Sequence, residues 1–320
     1  HAAWRWAIDQ RDTRTVDAMY PALADYYHLT TSFREGEALF RGALEDLAWV
    51  EGSESRGLLP WKLQSSQATF AVYLGRFALA RTSLDQCVAI FAREGAQDEM
   101  AHCQFFLGEI ARFTGEYSSA RDLFEASLTG YRQIGNPSAV GFCLNGLGLV
   151  CAALGELPQA RAYLQESLDA FRETGHEMGQ AIDGINLSDL LIRLEEYAIA
   201  IEILDESTLL CEKVGHRWGM ATCIRNLGDI ARLEGRDDEA RAAYLESLRI
   251  LQEIGQRQTA AGCLIKLGQV CTDLGEYAEA RQHLKVSLSI SAELEDQIQM
   301  IKAAAALALL LATEGDTERA

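Results

Sequence analysis

Apolar residues recur along this chain at spacings of three and four, which is the period of an amphipathic α-helix. Leu144, Leu147 and Cys151 form one such face, and a second run of the same kind follows Gly155. Because glycine adopts a positive φ at little cost, Gly155 predicts the end of the first helix of a pair. The pattern therefore predicts consecutive pairs of amphipathic helices and an all-α fold.

The helix pair returns every 40 residues along most of the chain. A leucine before a small residue opens each frame, and the small residue is followed seven positions later by a turn residue, usually glycine. An alanine comes twelve positions after the small residue, then an aromatic or leucine four later and a serine three after that. The opening leucines are Leu107, Leu147, Leu187, Leu227, Leu267 and Leu307. Repeats of this length predict an α-solenoid of antiparallel helix pairs.

These offsets resemble the tetratricopeptide repeat. The best match to that family is the earliest unit, through Leu23, Ala24, Tyr27, Gly36, Phe40 and Ala43. The family's usual period is about 34 residues, so the longer units here resemble those of kinesin light chain and of bacterial signalling regulators. The resemblance implies a right-handed superhelix whose concave wall is lined by the first helix of each pair.

The repeat frame divides the chain into an N-terminal helix at 1–16 and a superhelix at 17–320. Its units are 17–60, 61–100, 101–140, 141–180, 181–220, 221–260, 261–300 and a truncated 301–320. In the last unit we expect the first helix to end at 314, before Gly315. The chain begins at His1 and stops within a unit, and we interpret it as one arm of a larger protein.

Charge and hydropathy narrow the range of partners. The chain has 47 acidic residues and 29 Lys and Arg, which gives a formal net charge of −18. This charge repels nucleic-acid phosphates. The apolar run from Ala303 to Ala312 is too short to span a bilayer. We therefore expect neither a nucleic-acid nor a membrane partner.

Eight cysteines raise the question of disulfides or metal. None has the CxxC spacing of a zinc ribbon, and Cys103, Cys143, Cys223 and Cys263 differ by multiples of 40. This regularity predicts small buried core positions in a reducing compartment, and so a cytoplasmic protein with no metal site and no cofactor.

Catalytic motifs are missing from the sequence. His176-Glu177-Met178-Gly179 lacks the second histidine of a zinc-protease helix, and Gly146-Leu147-Gly148 has no strand before it. Neither a phosphate-binding GxxxxGK[ST] loop nor a G-x-S-x-G elbow is present. We therefore predict that the protein is not an enzyme.

The resemblance places a set of non-repeating side chains on the concave wall. Asparagine can hydrogen-bond the amides of an extended peptide, and arginine can bind a carboxylate with two hydrogen bonds. The candidate partner-binding residues are Phe105, Glu109, Asn145, Asn186, Asp189, Arg193, Arg225, Asn226, Asp229 and Arg232.

Two places are candidates for contact with another chain. In unit 181–220, Ile201 replaces the arginine found at that position in other units, and an exposed isoleucine would mark an interface. At the C-terminal end, a unit without its second helix would leave Leu307 and Leu311 uncovered, which would favour self-association.

The sequence thus predicts a non-catalytic module that binds a protein or peptide in its groove. Residues 2–7 and 35–40 resemble the segment that joins STAND-type signalling ATPases to their repeat arms. That resemblance implies the sensor or partner-binding arm of a bacterial signal-transduction regulator, which releases its ATPase to oligomerise. A peptide-pheromone receptor and a passive scaffold or cargo adaptor stay open as alternatives.

Overall fold

The computed structural model describes residues 2–30, 32–48 and 57–317 of the 320-residue chain. Over these ranges the chain forms 16 α-helices and no strand. It divides into two compact units, His1–Ala170 and Phe171–Ala320. The predicted fold class, an all-α solenoid of antiparallel helix pairs, is confirmed.

The first eight helices belong to the N-terminal unit. They are α1 (Ala2–Asp9), α2 (Thr13–Leu29), α3 (Phe33–Ala48), α4 (Leu59–Tyr73), α5 (Phe77–Glu94), α6 (Gln97–Phe113), α7 (Tyr117–Ile134) and α8 (Pro137–Ala153). The division between the units falls within α9 (Leu157–Thr174). The C-terminal unit continues with α10 (Glu177–Arg193), α11 (Tyr197–Lys213), α12 (Arg217–Leu233), α13 (Asp237–Glu253), α14 (Arg257–Asp273), α15 (Tyr277–Glu293) and α16 (Gln297–Thr317).

The turns between helices depend on residues with positive φ. Gly155 has φ 80° just after α8 ends at Ala153, which confirms the predicted helix end. Among the described residues of the superhelix, two other than glycine take this left-handed conformation: Glu195, at the position of Gly155, has φ 62°, and Glu295, at the position of Gly255 between pairs, has φ 55°. The left-handed conformation costs a residue with a side chain about 1 kcal/mol, so packing on both sides imposes the turn at these two positions.

Phe124 shows why the frame keeps small residues. This fully buried ring lies between two glycines, one on α6 and one on α8. A Cβ added to Gly108 would lie 2.9 Å from the Phe124 ring, and one added to Gly146 would lie 2.7 Å from it. The glycines therefore allow both helices to approach the aromatic ring more closely than any other residue would permit.

The repeated serines and cysteines are core positions. All eight cysteines are free and buried, as the sequence predicted. Ser127 Oγ donates a hydrogen bond of 2.8 Å to the Ala101 carbonyl and lies 3.2 Å from Cys143 Sγ. Equivalent serine-to-carbonyl bonds join Ser167 to Gly141, Ser247 to Ala221 and Ser287 to Ala261. The recurring serine thus hydrogen-bonds the first helix of its own pair.

Arginines on the second helices form ion pairs with the following repeat. The distances are 2.7 Å for Arg81–Glu116, 2.5 Å for Arg121–Glu156 and 2.6 Å for Arg241–Glu276. Because these groups are partly exposed, water screens each pair, and each stabilises the contact between repeats only weakly.

The equivalent pair is missing between α11 and α13. Ile201 stands where the arginine would be, and Arg236 stands where the glutamate would be. Arg236 instead pairs with Glu234 at 2.5 Å and with Glu239. Ile201 is half-buried, and its neighbour Ile199 is the exposed one. A chain–chain contact at Ile201 stays a prediction.

The last helix differs from the prediction. It begins at Gln297 and runs through Gly315 to Thr317. Leu307 packs against the core, so it was wrongly expected to be uncovered, and Leu310 is fully buried. Leu311 is 58% exposed, as are Ile298 at 66%, Ile301 at 69% and Leu309 at 63%.

The repeat explains which face of α16 is exposed. One unit earlier, Ala261 and Ile265 occupy the positions of Ile301 and Ala305, and both are buried. The α15 side chain of Ser287 bonds the carbonyl of Ala261, so the second helix of that pair covers this face. Among the described residues, no second helix follows α16, and its equivalent face stays exposed.

Two helices are long and apolar enough, by length and composition, to cross a membrane: Pro137–Leu154 and Gln297–Gly315. The sequence estimate for the second was too short, because it stopped at the run from Ala303 to Ala312. The first is a core helix, since Cys143, Leu144 and Leu147 are fully buried within the N-terminal unit. A packed core helix passes the same test, so the two windows are weak evidence of a membrane partner.

Candidate functional site

The first helices of the C-terminal unit carry a polar cluster. Helix α12 contributes Arg225, Asp229 and Arg232, at positions i, i+4 and i+7 of one face, with Asn226 beside them. The neighbouring first helix, α14, adds three further polar residues, Lys266, Gln269 and Asp273. The structure therefore brings together the four predicted residues of α12.

Asp229 is bound from two sides by other parts of the unit. The hydroxyl of Tyr244 donates a hydrogen bond of 2.6 Å to Asp229 Oδ1, and Lys266 Nζ donates one of 3.1 Å to Oδ2. Tyr244 is fully buried, and burial together with the Asp229 charge raises the pKa of its hydroxyl. Asp229 is thus engaged within the fold, and its charge is balanced by Lys266.

Arg232 is engaged in the same way. Its Nε donates a hydrogen bond of 2.7 Å to Asp273 Oδ2, and its Nη1 lies 3.4 Å from Gln269 Oε1. Both acceptors lie on α14, so the guanidinium joins two neighbouring first helices. These contacts position Arg232 as a structural residue of the cluster.

Arg225 and Asn226 keep unused donors. Arg225 Nη2 donates a hydrogen bond of 3.0 Å to Asn226 Oδ1, and no carboxylate of the described chain pairs with this half-buried guanidinium. Asn226 is buried, yet its Nδ2 has no acceptor within the described part of the chain. An unsatisfied buried N–H costs about 1–3 kcal/mol, so an acceptor supplied by a ligand would be favourable here.

The remaining predicted residues of this unit lie on α10. Asn186 is half-buried, whereas Asp189 and Arg193 are exposed. Helix α10 packs beside α12, so the polar surface extends from one first helix to the next.

Three predicted residues belong to the N-terminal unit. Glu109 accepts two hydrogen bonds from Arg112, one turn along α6, at 3.0 and 2.8 Å. Phe105 is half-buried, and its ring lies 5.7 Å from that of Phe124 and 6.4 Å from that of Phe142. Asn145 is half-buried on α8. Glu109 is therefore paired within its own helix, and Phe105 is part of an aromatic core.

Sequence reasoning missed Tyr244 and Lys266. A signal for Tyr244 was present, because the equivalent positions in other units hold Phe124, Leu164, Leu204 and Leu284, none with a hydroxyl. Lys266 occupies the frame position of Asn226 one unit later. Only the placement of α14 beside α12 shows that both residues serve Asp229.

Sequence profiles described as tetratricopeptide repeat match most of the chain. One matches residues 62–133, 120–173 and 180–253, and a second matches 260–295. No curated protein sequence matches the chain.

Solved structures with a similar fold include two Rap proteins and a quorum sensor. A Rap protein complexed with competence and sporulation factor has a TM-score of 0.70 at 15% identity, over 90% of this chain and 80% of that one. The Rap conjugation gene regulator of plasmid pLS20, in complex with the Phr* peptide, scores 0.65 at 15% identity, over 85% and 72%. The apo quorum sensor NprR from B. thuringiensis scores 0.64 at 14% identity, over 93% and 80%. At these identities the likeness shows the fold alone.

Proposed function

Because this chain belongs to the tetratricopeptide repeat family, we propose that it is a non-catalytic module that binds a protein or peptide through α12. The observation that carries the proposal is the pair formed by Arg225 and Asn226. Within the described ranges, a half-buried guanidinium that pairs with no carboxylate lies beside a buried amide N–H that has no acceptor. Together they offer several donors to one acceptor group.

A carboxylate is the acceptor that suits this pair. Arginine binds a carboxylate through two parallel N–H bonds, and the adjacent amide can donate a third. The exposed Asp189 and the overall charge of −18 disfavour a strongly acidic ligand, which leaves a peptide with a single carboxylate. Two of the structural neighbours hold a competence and sporulation factor and a Phr* peptide, which supports a peptide as the ligand.

Replacing Arg225 with alanine should weaken peptide binding at least tenfold, since a hydrogen bond to a charged group contributes about 1.5–3 kcal/mol. The probe is a panel of fluorescent short peptides, each with a free and an amidated C-terminus, titrated by fluorescence anisotropy. Arg249→Ala is the matched control, because among the described residues Arg249 forms ion pairs only with Glu246 and Glu253 of its own helix, α13. Equal affinities for the wild-type protein and Arg225→Ala would refute the site.

We further propose that the module is the sensor arm of a bacterial STAND-type regulator in the cytoplasm. The resemblance of residues 2–7 and 35–40 to the segment before STAND repeat arms supports the role as a sensor arm. Eight free buried cysteines suit a reducing compartment, which supports the cytoplasmic location. The fold likeness to the quorum sensor NprR favours the alternative of a peptide-pheromone receptor. A passive scaffold or cargo adaptor is the third candidate. If the gene encodes residues before His1, a nucleotide-binding motif there would favour the sensor arm, and a helix-turn-helix would favour the receptor. A preceding segment with neither motif would favour the scaffold.

The exposed face of α16 supports self-association as a second property. Ile298, Ile301, Leu309 and Leu311 together form a larger apolar surface than isolated exposed residues do. We expect the mass measured by light scattering to rise with concentration above 35.3 kDa. Ile301→Lys should hold it at the monomer value, whereas Leu209→Lys, a change at an exposed leucine of α11, should not. A wild-type protein that stays monomeric at high concentration would contradict this.

A further inference from the structure

Helices α14 and α15 bring three potential metal ligands together at one point of the C-terminal unit. Cys271 lies near the end of α14, and Glu279 and His283 lie one turn apart on α15. The ligand atoms of the three side chains are all within 4.8 Å of one another. His283 Nε2 lies 3.4 Å from Glu279 Oε1. A thiol, an imidazole and a carboxylate thus converge without any metal-binding spacing in the sequence.

We propose that Cys271, Glu279 and His283 bind a zinc-like divalent cation, with water completing the coordination. Thiolate, imidazole and carboxylate are the ligands that zinc takes in proteins, whereas calcium and magnesium prefer oxygen alone. Bonds of about 2.0–2.3 Å place tetrahedral ligand atoms about 3.3–3.8 Å apart, so the cluster must contract slightly. Glu279 can supply that movement, because its side chain is half-exposed.

The charges around the cluster suit a divalent cation. Arg241 and Glu276 form an ion pair of 2.6 Å next to Cys271. With the thiol ionised, Cys271, Glu276 and Glu279 carry two more negative charges than Arg241 balances. A bound dication would neutralise that excess.

Cys271 is buried, and a cation at this point would replace the proton of its thiol. The partly exposed side chains of Glu279 and His283 give the cation access from solvent.

The repeat supplies a matched control within the same chain. Cys151 occupies the frame position of Cys271, and it has the same neighbours, since Arg121 Nη2 lies 3.9 Å from its sulfur and pairs with Glu156. Gln159 and Tyr163 stand where Glu279 and His283 would be. Cys151 therefore has the same buried surroundings without the other two ligands.

The test is a titration of metal-free, tag-free full-length protein with Co²⁺, followed by thiolate-to-cobalt charge-transfer absorption and then by displacement with Zn²⁺. We expect one equivalent to bind with this absorption. Cys271→Ser should abolish the absorption, His283→Gln should weaken affinity at least about tenfold, and Cys151→Ser should change neither.

Two results would overturn the proposal: no charge-transfer absorption in the wild-type protein, or absorption that survives Cys271→Ser. Circular dichroism of each variant checks the fold. Should Cys271→Ser unfold, His283→Gln alone decides, because this ring is partly exposed whereas Cys271 is buried, and an unchanged affinity would refute the site. Peptide binding through Arg225 is independent of every one of these outcomes.

Discussion

Replacing Phe124 with alanine should lower the free energy of unfolding by about 3–5 kcal/mol. The ring is fully buried, and it fills the space between Gly108 and Gly146. Neither glycine has a side chain that could move into the space left behind, so the cavity would stay largely open. The cost should therefore lie at the upper end of the range for losing a buried aromatic ring.

Phe142→Ala is the matched control, because the same ring is removed from a side chain that is 40% exposed on α8. Urea denaturation followed by circular dichroism compares the two variants, and we expect Phe142→Ala to cost less than half as much. Equal losses would show that the glycine-lined site relaxes around the missing ring.

Acidification from pH 6.5 to pH 4.5 should destabilise the N-terminal unit by about 1 kcal/mol per pH unit for each of two histidines. Burial lowers the pKa of His28 to about 4, from an ordinary value of 6.5. Burial, with a smaller effect from the His28 charge, lowers the pKa of His102 to about 4, against the opposing charge of Glu99. His28 stacks on Phe70 at 4.5 Å, and His102 packs edge-on to Phe106 at 4.9 Å.

The sign follows from proton binding. Below pH 6.5 the unfolded histidines take up protons that the folded ones refuse until about pH 4, so the stability present above pH 6.5 is lost through this window. Paired carboxylates such as Glu116 affect stability at lower pH. Hydrogen bonds from Arg81 and Thr114 hold the pKa of Glu116 at about 2, so its stabilisation is lost only below the ordinary carboxyl pKa of 4.5. The histidine window is therefore separate.

Urea denaturation at half-unit steps between pH 7.5 and 4.5 measures the effect. The double variant His28→Gln and His102→Gln should flatten the slope in this window, leaving a smaller part from His216, whose pKa burial also lowers. An unchanged slope in the double variant would place the acid sensitivity elsewhere.

The repeat frame was enough to predict the helix pairs, because each frame position has one structural task. The buried cysteines and the turn at Gly155 follow directly from it. The end of α16 was wrong for a physical reason. Gly315 looked like a turn residue, but a glycine inside a helix costs only about 1 kcal/mol, and no following described helix requires the chain to turn there.

The sequence was enough to predict where the polar side chains of the candidate site lie on α12, but not which residues they pair with. Spacing alone places Arg225, Asp229 and Arg232 on one face of α12. Which of them is free for a ligand depends on side chains far along the chain: Arg232 pairs with Asp273 and Asp229 with Lys266. The three side chains proposed as metal ligands escape sequence analysis for the same reason, since they meet across two helices.

The missing ion pair between α11 and α13 makes the protein's response to salt uneven. Added salt shortens the Debye length, which is about 8 Å at physiological ionic strength, and so weakens exposed pairs such as Arg81–Glu116 and Arg241–Glu276. With Ile201 and Arg236 at the corresponding positions, the junction between α11 and α13 has no such attraction to lose. At low salt the other junctions are therefore stabilised relative to this one. At high salt the difference in stability between the junctions becomes smaller.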